Sequence, residues 1–242
     1  MKRKSFRRIY CLILMLLFLF GASFSANAGN GTQYGGVGVG YWTIGWNLTG
    51  GISHIHYSYN DNGGAYTYST TSGINYKPRA LFGCTSWDSA LSSSIFTFTS
   101  TSTTVRDIRF EYVNASWIHA SAWCEYFSSD GTRVSDAPTG DYIPNPTQDY
   151  AYVVIKFNQY YLASDYATGI TEQANLYNTA FTSEHSGLRA LFPHEVGHAL
   201  GLSHITPLVG NAIMDTPAYY VYARYGIYQA QDNDVAGVNI IY

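Results

Sequence analysis

Charge is what this chain has least of. Asp, Glu, Lys and Arg make up 12% of its 242 residues, where about 25% is usual. Five of the 13 basic residues (Lys2, Arg3, Lys4, Arg7 and Arg8) fall within the first eight positions. Beyond them 8 basic residues face 16 acidic ones, a net charge of −8. That balance excludes a nucleic-acid binder, which needs a basic face to displace phosphate counterions. Cysteine is also sparse, 3 in all, with no C-x-x-C spacing to suggest a thiolate metal site. Long apolar runs are missing after Phe20, so no later segment offers the roughly 20 apolar residues of a membrane span. Aromatic side chains are plentiful instead: 23 Tyr, 12 Phe and 5 Trp, within a hydrophobic share of 46%. Intrinsic disorder is excluded by that store of core-forming surface. The length suits one domain, or two small ones.

The basic start leads into the apolar stretch Ile9 to Phe20, then into small residues ending in Ala26-Asn27-Ala28. Basic region, apolar run of about a dozen and an A-x-A site make the pattern of a secretory signal peptide. The run is too short to span a membrane, and no Cys follows it where a lipid anchor would need one. The organisation expected is therefore a signal peptide at 1–28, a flexible Gly-rich segment at 29–40, and one domain over 41–242. The protein should be secreted, extracellular and monomeric, with no stable membrane insertion after signal cleavage. Export also bears on the cysteines. Cys11 leaves with the signal, so Cys84 and Cys124 remain as an even pair in an oxidising compartment. A bridge between them would close a loop of about 40 residues and stabilise by roughly 4 kcal/mol. The alternative is two free, buried thiols.

Along the mature chain, Ile52 to Tyr59 alternates like a strand and stops at the turn cluster Asn60-Asp61-Asn62-Gly63-Gly64. Strands are also expected over Ser93–Thr104, Arg106–Val113, Trp117–Phe127 and Ala151–Phe157. Ser129 to Gln148, with Gly, Asp and three Pro, should be a surface loop. Helical signals come late. One helix should run from about Glu184 or Ser186 to Leu200 and stop at Gly201. A second should span about Gln231 to Ile241, with Asp232 and Asp234 at its positive end. A shorter helix near Pro78 to Leu91 would hold Pro78 in its first turn. Strands first and helices last give an α+β domain.

The chemistry is concentrated in His194-Glu195-Val196-Gly197-His198, which matches H-E-x-x-H. On a helix, residues four apart share a face, so both imidazoles can reach one ion. Glu195 is angled away from that face, placed to hold a zinc-bound water rather than to ligate. Gly201 can take a positive φ and end the helix, after which the chain can bring His204 to the same ion. Three neutral imidazoles leave zinc one open position, as in catalytic sites. A helix that merely contains three His is the bland alternative. Five residues at these fixed offsets have a chance expectation on the order of 10⁻⁵ per chain, so the bland alternative fails.

His194, Glu195, His198, Gly201 and His204 resemble the metzincin zinc signature, and Ala212-Ile213-Met214-Asp215 resembles the Met-turn that follows it. Within metzincins the chain is most similar to the matrixins, the matrix metalloproteinase-like branch. That likeness rests on Ala199 to His204, on Pro217-Ala218-Tyr219, and on Asp232 to Tyr242, with weaker echoes at Trp46–Tyr59 and Asp107–Phe110. It implies a twisted mixed sheet of about five strands, a zinc-binding helix beneath it, a C-terminal helix, and a peptide bound along an edge strand. It also implies that Pro217 and Tyr219 wall the main specificity pocket, although one extra residue separates Met214 from Pro217. The matrixin Pro-Arg-Cys-Gly propeptide switch is not found, so no activation cleavage is expected. A structural-zinc ligand run is not recognisable either: His54, His56 and His119 read as ordinary polar surface. Asp130, Asp136 and Asp141 could hold Ca²⁺, but no calcium-loop spacing is present, and a solvated loop is the plainer reading.

The function expected is a secreted zinc metalloendopeptidase, with Glu195 as general base for a zinc-bound water and a protein or peptide as substrate. A zinc-loaded peptide-binding or adhesive module is the rival from another class, suited to the Tyr-, Ser- and Thr-rich composition. Glu195 separates the two, because a module that only binds has no physical need for a carboxylate there. A zinc hydrolase of non-peptide amides is a further rival.

Overall fold

The computed structural model describes residues 32–34, 41–43, 47–60, 67–68, 74–75, 77–99, 107–140, 142–143, 145–158, 187–205, 210–216 and 218–242. In chain order the elements are β1 (Thr32–Tyr34), β2 (Tyr41–Thr43), β3 (Ile55–Tyr59), β4 (Thr67–Tyr68), β5 (Ile74–Asn75), α1 (Lys77–Ala90), β6 (Phe96–Phe98), β7 (Ile108–Val113), β8 (Ala122–Phe127), β9 (Tyr152–Asn158), α2 (Gly187–Ala199), α3 (Ala218–Tyr225) and α4 (Asp232–Ile241). The expected signal peptide lies outside the described residues. Within the stretch expected to be a lead-in, β1 pairs antiparallel with β2.

Five strands form the main sheet in the order β6-β3-β7-β9-β8. β3 runs parallel to β6 and β7, and β7 parallel to β9. Only β8, at one edge, runs antiparallel to its neighbour. Alternation along these strands sends Ile55, Tyr57, Ile108, Phe110, Val153, Ile155 and Phe157 into the core, as a period of two requires. The opposite face carries a charge ladder across β7, β9 and β8. Arg109 pairs with Glu111 at 2.6 Å, and Lys156 and Arg133 meet the buried Glu125 at 2.9 and 2.7 Å.

Both long helices pack under the inner face. Phe157 of β9 stacks on Phe192 of α2 with ring centroids 4.0 Å apart, and the Trp87 indole of α1 donates to the Pro193 carbonyl at 2.8 Å. Tyrosines of β8 and of the segment just before β9 reach the C-terminal end of α2, where helical carbonyls run out of intrahelical partners. Tyr150 donates to the Ala199 carbonyl at 2.9 Å and Tyr126 to the His198 carbonyl at 3.4 Å.

The strand expected over Ser93–Thr104 is confined, among the described residues, to Phe96–Phe98, and the one over Trp117–Phe127 starts only at Ala122. Asn158 explains the latter difference. Its buried amide accepts from Ala115 N at 3.0 Å and donates to the Ala115 and Ile118 carbonyls at 2.9 and 3.0 Å. Those backbone groups are thereby held in a loop instead of a ladder.

The Cys84–Cys124 bridge is corrected by the structure: both thiols are free and buried. Cys84 sits on α1 with Asp88 and Tyr57 as neighbours, whereas Cys124 sits on β8 against Glu195 of α2. The two sulfurs are thus enclosed by different surroundings.

Candidate metal centre

His194 and His198 lie one turn apart on α2. The helix closes in a Schellman arrangement, with Leu202 N bonded to Gly197 O and Gly201 N to His198 O, both at 3.0 Å. That closure needs the left-handed backbone of Gly201, whose φ is +90°. It turns the chain back, so that the Leu202 carbonyl accepts from His198 Nδ1 at 2.8 Å and His204 follows two residues later. His204 Nε2 then lies 3.0 Å from His198 Nε2 and 3.1 Å from His194 Nε2.

The Met-turn completes the frame. Ile205 N donates to Met214 O at 3.0 Å, and the Ile213 carbonyl accepts from His194 Nδ1 at 2.7 Å. Met214 lies directly beneath Gly197: a Cβ there would come within 2.3 Å of the Met214 sulfur and 3.0 Å of the Trp87 ring. Only glycine leaves room for that approach. The turn itself is held by Asp234 of α4, whose carboxylate accepts from Ile213 N at 2.8 Å, Met214 N at 3.2 Å and Gln231 N at 2.8 Å.

Electrostatics follow from burial. Desolvation lowers His194 to about 3 and His198 to about 4, and holds His204 well below the usual imidazole range. All three rings are therefore neutral near pH 7. In His194 and His198 the Nδ1 proton is committed to a carbonyl, so the Nε2 lone pairs are left free. Those lone pairs and the Nε2 of His204 converge on one point, an arrangement of mutual repulsion that a cation relieves. Three nitrogens on one zinc at about 2.0–2.1 Å would sit about 3.3 Å apart, close to the separations found here. Among the described residues this is the one group of His, Cys, Asp and Glu able to hold a metal. Glu195 is buried beside it, and desolvation pushes its carboxyl up to about 8. A dication at the imidazoles would favour the ionised form.

Other expectations fall elsewhere. Pro217 lies outside the described residues, and Tyr219 falls in the first turn of α3. His56 bonds Asp107 through its backbone N at 2.7 Å, and His54 is exposed next to the Ser53 carbonyl. The Asp130 carboxylate is taken by Ser128 and Thr132, and Asp141 is outside the described residues. Sequence reasoning missed the Asp234 anchor, for which the acid three residues after Gln231 was an available signal. It also missed the contact between Cys124 and Glu195, for which no local signal exists.

A profile of the matrixin family matches residues 79–242. The match includes α1 from its third residue, the main sheet from β6 onward, the three His and the C-terminal helix. No curated protein matches the chain.

Proposed function

We propose that this chain, which belongs to the matrixin family of zinc-dependent metallopeptidases, is a secreted endopeptidase that cuts extended segments of protein substrates. The observation that carries this reading is the convergence of three neutral imidazole Nε2 atoms beside a buried carboxylate. His194, His198 and His204 are the residues that would hold the ion. When bound, zinc supplies Lewis acidity toward water and the scissile carbonyl. Glu195 takes the proton of the attacking water and returns it to the leaving amine. Among the described residues β8 joins the sheet only through β9. Its other edge is met at one end by the Phe127–Arg133 bridge and the bond from Val134 N to Tyr126 O, so a substrate strand can add to the rest of that edge through main-chain hydrogen bonds. Pro217 and Tyr219 are assigned to the pocket that receives a substrate side chain. Residues 1–28 act as the export signal; among the described residues no helix is long and apolar enough to cross a membrane.

The test uses zinc-loaded protein and a library of quenched peptides. Cleavage should be abolished by chelation and restored by zinc. Glu195→Gln should lower turnover by about 10²–10⁴-fold while zinc content stays the same. Cleavage that survives Glu195→Gln refutes the assignment, and a protein that holds zinc and peptide without cutting is a binding module.

A further inference from the structure

β8 turns two side chains toward the catalytic helix, at alternate positions. Tyr126 reaches the His198 carbonyl at 3.4 Å. Cys124 lies with its sulfur 3.4 Å from the Glu195 carbonyl oxygen and 3.8 Å from Glu195 Oε2. Both members of the second contact are enclosed: Cys124 is 5% exposed and Glu195 4%. Among the described residues, the Cys124 thiol is the only donor to the Glu195 carboxylate, and no Lys or Arg pairs with it. Burial pushes the Cys124 thiol well above its ordinary range, so the sulfur carries its one proton, shared between the Glu195 carbonyl oxygen and the more distant Oε2.

We propose that Cys124 is a positioning residue for Glu195, its S–H fixing the carboxylate rotamer relative to the edge strand that receives the substrate. This rests on the endopeptidase reading given above. The chemistry of the donor explains why a thiol suits the place. A buried general base with no donor can rotate away from its proton path, whereas an Arg or Lys partner would hold the carboxylate as an anion and weaken it as a base. A thiol is a weak donor, enough to bias one rotamer without binding the negative charge strongly. Because Cys124 belongs to β8, one strand orients both the base and the peptide it acts on.

The experiment combines spectroscopy and kinetics on unmutated protein, Cys124→Ala, Cys124→Ser and Glu195→Gln. In the infrared S–H stretching region, the difference spectrum between unmutated protein and Cys124→Ala isolates the Cys124 band. That band should lie at lower frequency than the Cys84 band, and should shift upward in Glu195→Gln, whose amide is the poorer acceptor. Cys124→Ala should lower kcat by about 3- to 10-fold, the worth of a hydrogen bond of modest strength, with KM unchanged because the β8 backbone is untouched. Cys124→Ser, which restores a donor, should recover part of that kcat. A Cys124 band indifferent to Glu195→Gln overturns the inference, as does a Cys124→Ala variant with full kcat or a change confined to KM. Protein that cleaves no peptide overturns the endopeptidase reading and this role with it; a cleaving enzyme with an indifferent band overturns this role alone.

Discussion

Replacing Asp234 with Ala removes no atom from the triad, yet it should weaken both the fold and the metal centre. The carboxylate accepts three backbone N–H groups, two of them on the Met-turn residues Ile213 and Met214 and one at the helix start, Gln231. Each N–H left buried without a partner costs about 1–3 kcal/mol. The three share one carboxylate and will not add fully, so the loss should be on the order of 3–5 kcal/mol. For a domain of this size, about 2–4 °C per kcal/mol places the drop in Tm on the order of 10 °C. The second consequence runs through Ile213, whose carbonyl fixes the His194 ring by accepting from Nδ1 at 2.7 Å. Loosening such a support typically costs 10–100-fold in metal affinity. Scanning calorimetry of metal-free protein and competition with a chromogenic zinc chelator read the two effects separately. Asp232→Ala is the control: it removes an exposed acid from the same helical turn, worth about 0.3–1 kcal/mol through the helix dipole. Asp234→Asn keeps one acceptor oxygen but turns an amide donor toward a backbone N–H, so it should fall between the two. If Asp234→Ala melts within 2 °C of the unmutated protein and binds zinc equally well, the anchoring argument is wrong.

Two further outcomes follow from the same packing. Between about pH 4.5 and 6.5 the unfolded chain of the metal-free protein binds three imidazole protons that the folded site refuses, while folding retains protons on Glu195, raised to about 8, and Asp234, raised to about 7. The net of about one proton makes stability rise by about 1 kcal/mol per pH unit up to the imidazole range and fall above it; a Tm that climbs steadily to pH 8 contradicts this. Arg189 lies between two rings, 4.5 Å from the centre of Phe82 and 4.3 Å from that of Tyr228, so Arg189→Ala should cost about 1–2 kcal/mol in urea unfolding. Arg189→Lys should recover only part of it, since an ammonium cannot stack on two faces; full recovery would show that charge alone matters.

The triad could be read from the chain because it is local. His194 and His198 are one helical turn apart, and Gly201 sits where the Schellman closure needs positive φ, so spacing alone brings His204 back. β7 and β9 were legible for related local reasons: β7 keeps its alternation as buried and partly exposed positions over Ile108–Glu111, and β9 is a short β-branched and aromatic run buried on both faces at Val153, Val154 and Ile155. α3 was not legible. Ala218–Tyr225 is rich in Tyr and holds Val, residues that lean toward strands, and the helix forms because Ala218 and Val221 are buried in packing that local propensity does not encode. The start of β8 was misjudged because Asn158, some forty positions downstream, takes the backbone groups of Ala115 and Ile118. Cysteine arithmetic paired Cys84 with Cys124 on compartment and parity, two considerations blind to one lying on α1 and the other on β8.

The polar groups around α2 leave their site in need of a particular kind of partner. Buried polar groups in a folded protein are almost all paired, and here the donors are spent with care. The Nδ1 protons of His194 and His198 go to Ile213 and Leu202, and the Met-turn amides go to Asp234. The carbonyls that end the helix take Tyr126, Tyr150 and the Gly201 amide. What is left over is of one kind. The Nε2 atoms of His194 and His198 are acceptors, His204 Nε2 faces both, and the Glu195 carboxylate has a single weak thiol donor. A cluster of acceptors with almost no donors, with His194 and Glu195 buried and His198 and His204 only partly open to solvent, is destabilising as it stands. Its complement is a cation at the three nitrogens and a proton source at the carboxylate. A divalent metal and an attacking water meet those two demands together, whereas a bound peptide by itself brings no cation to the three nitrogens.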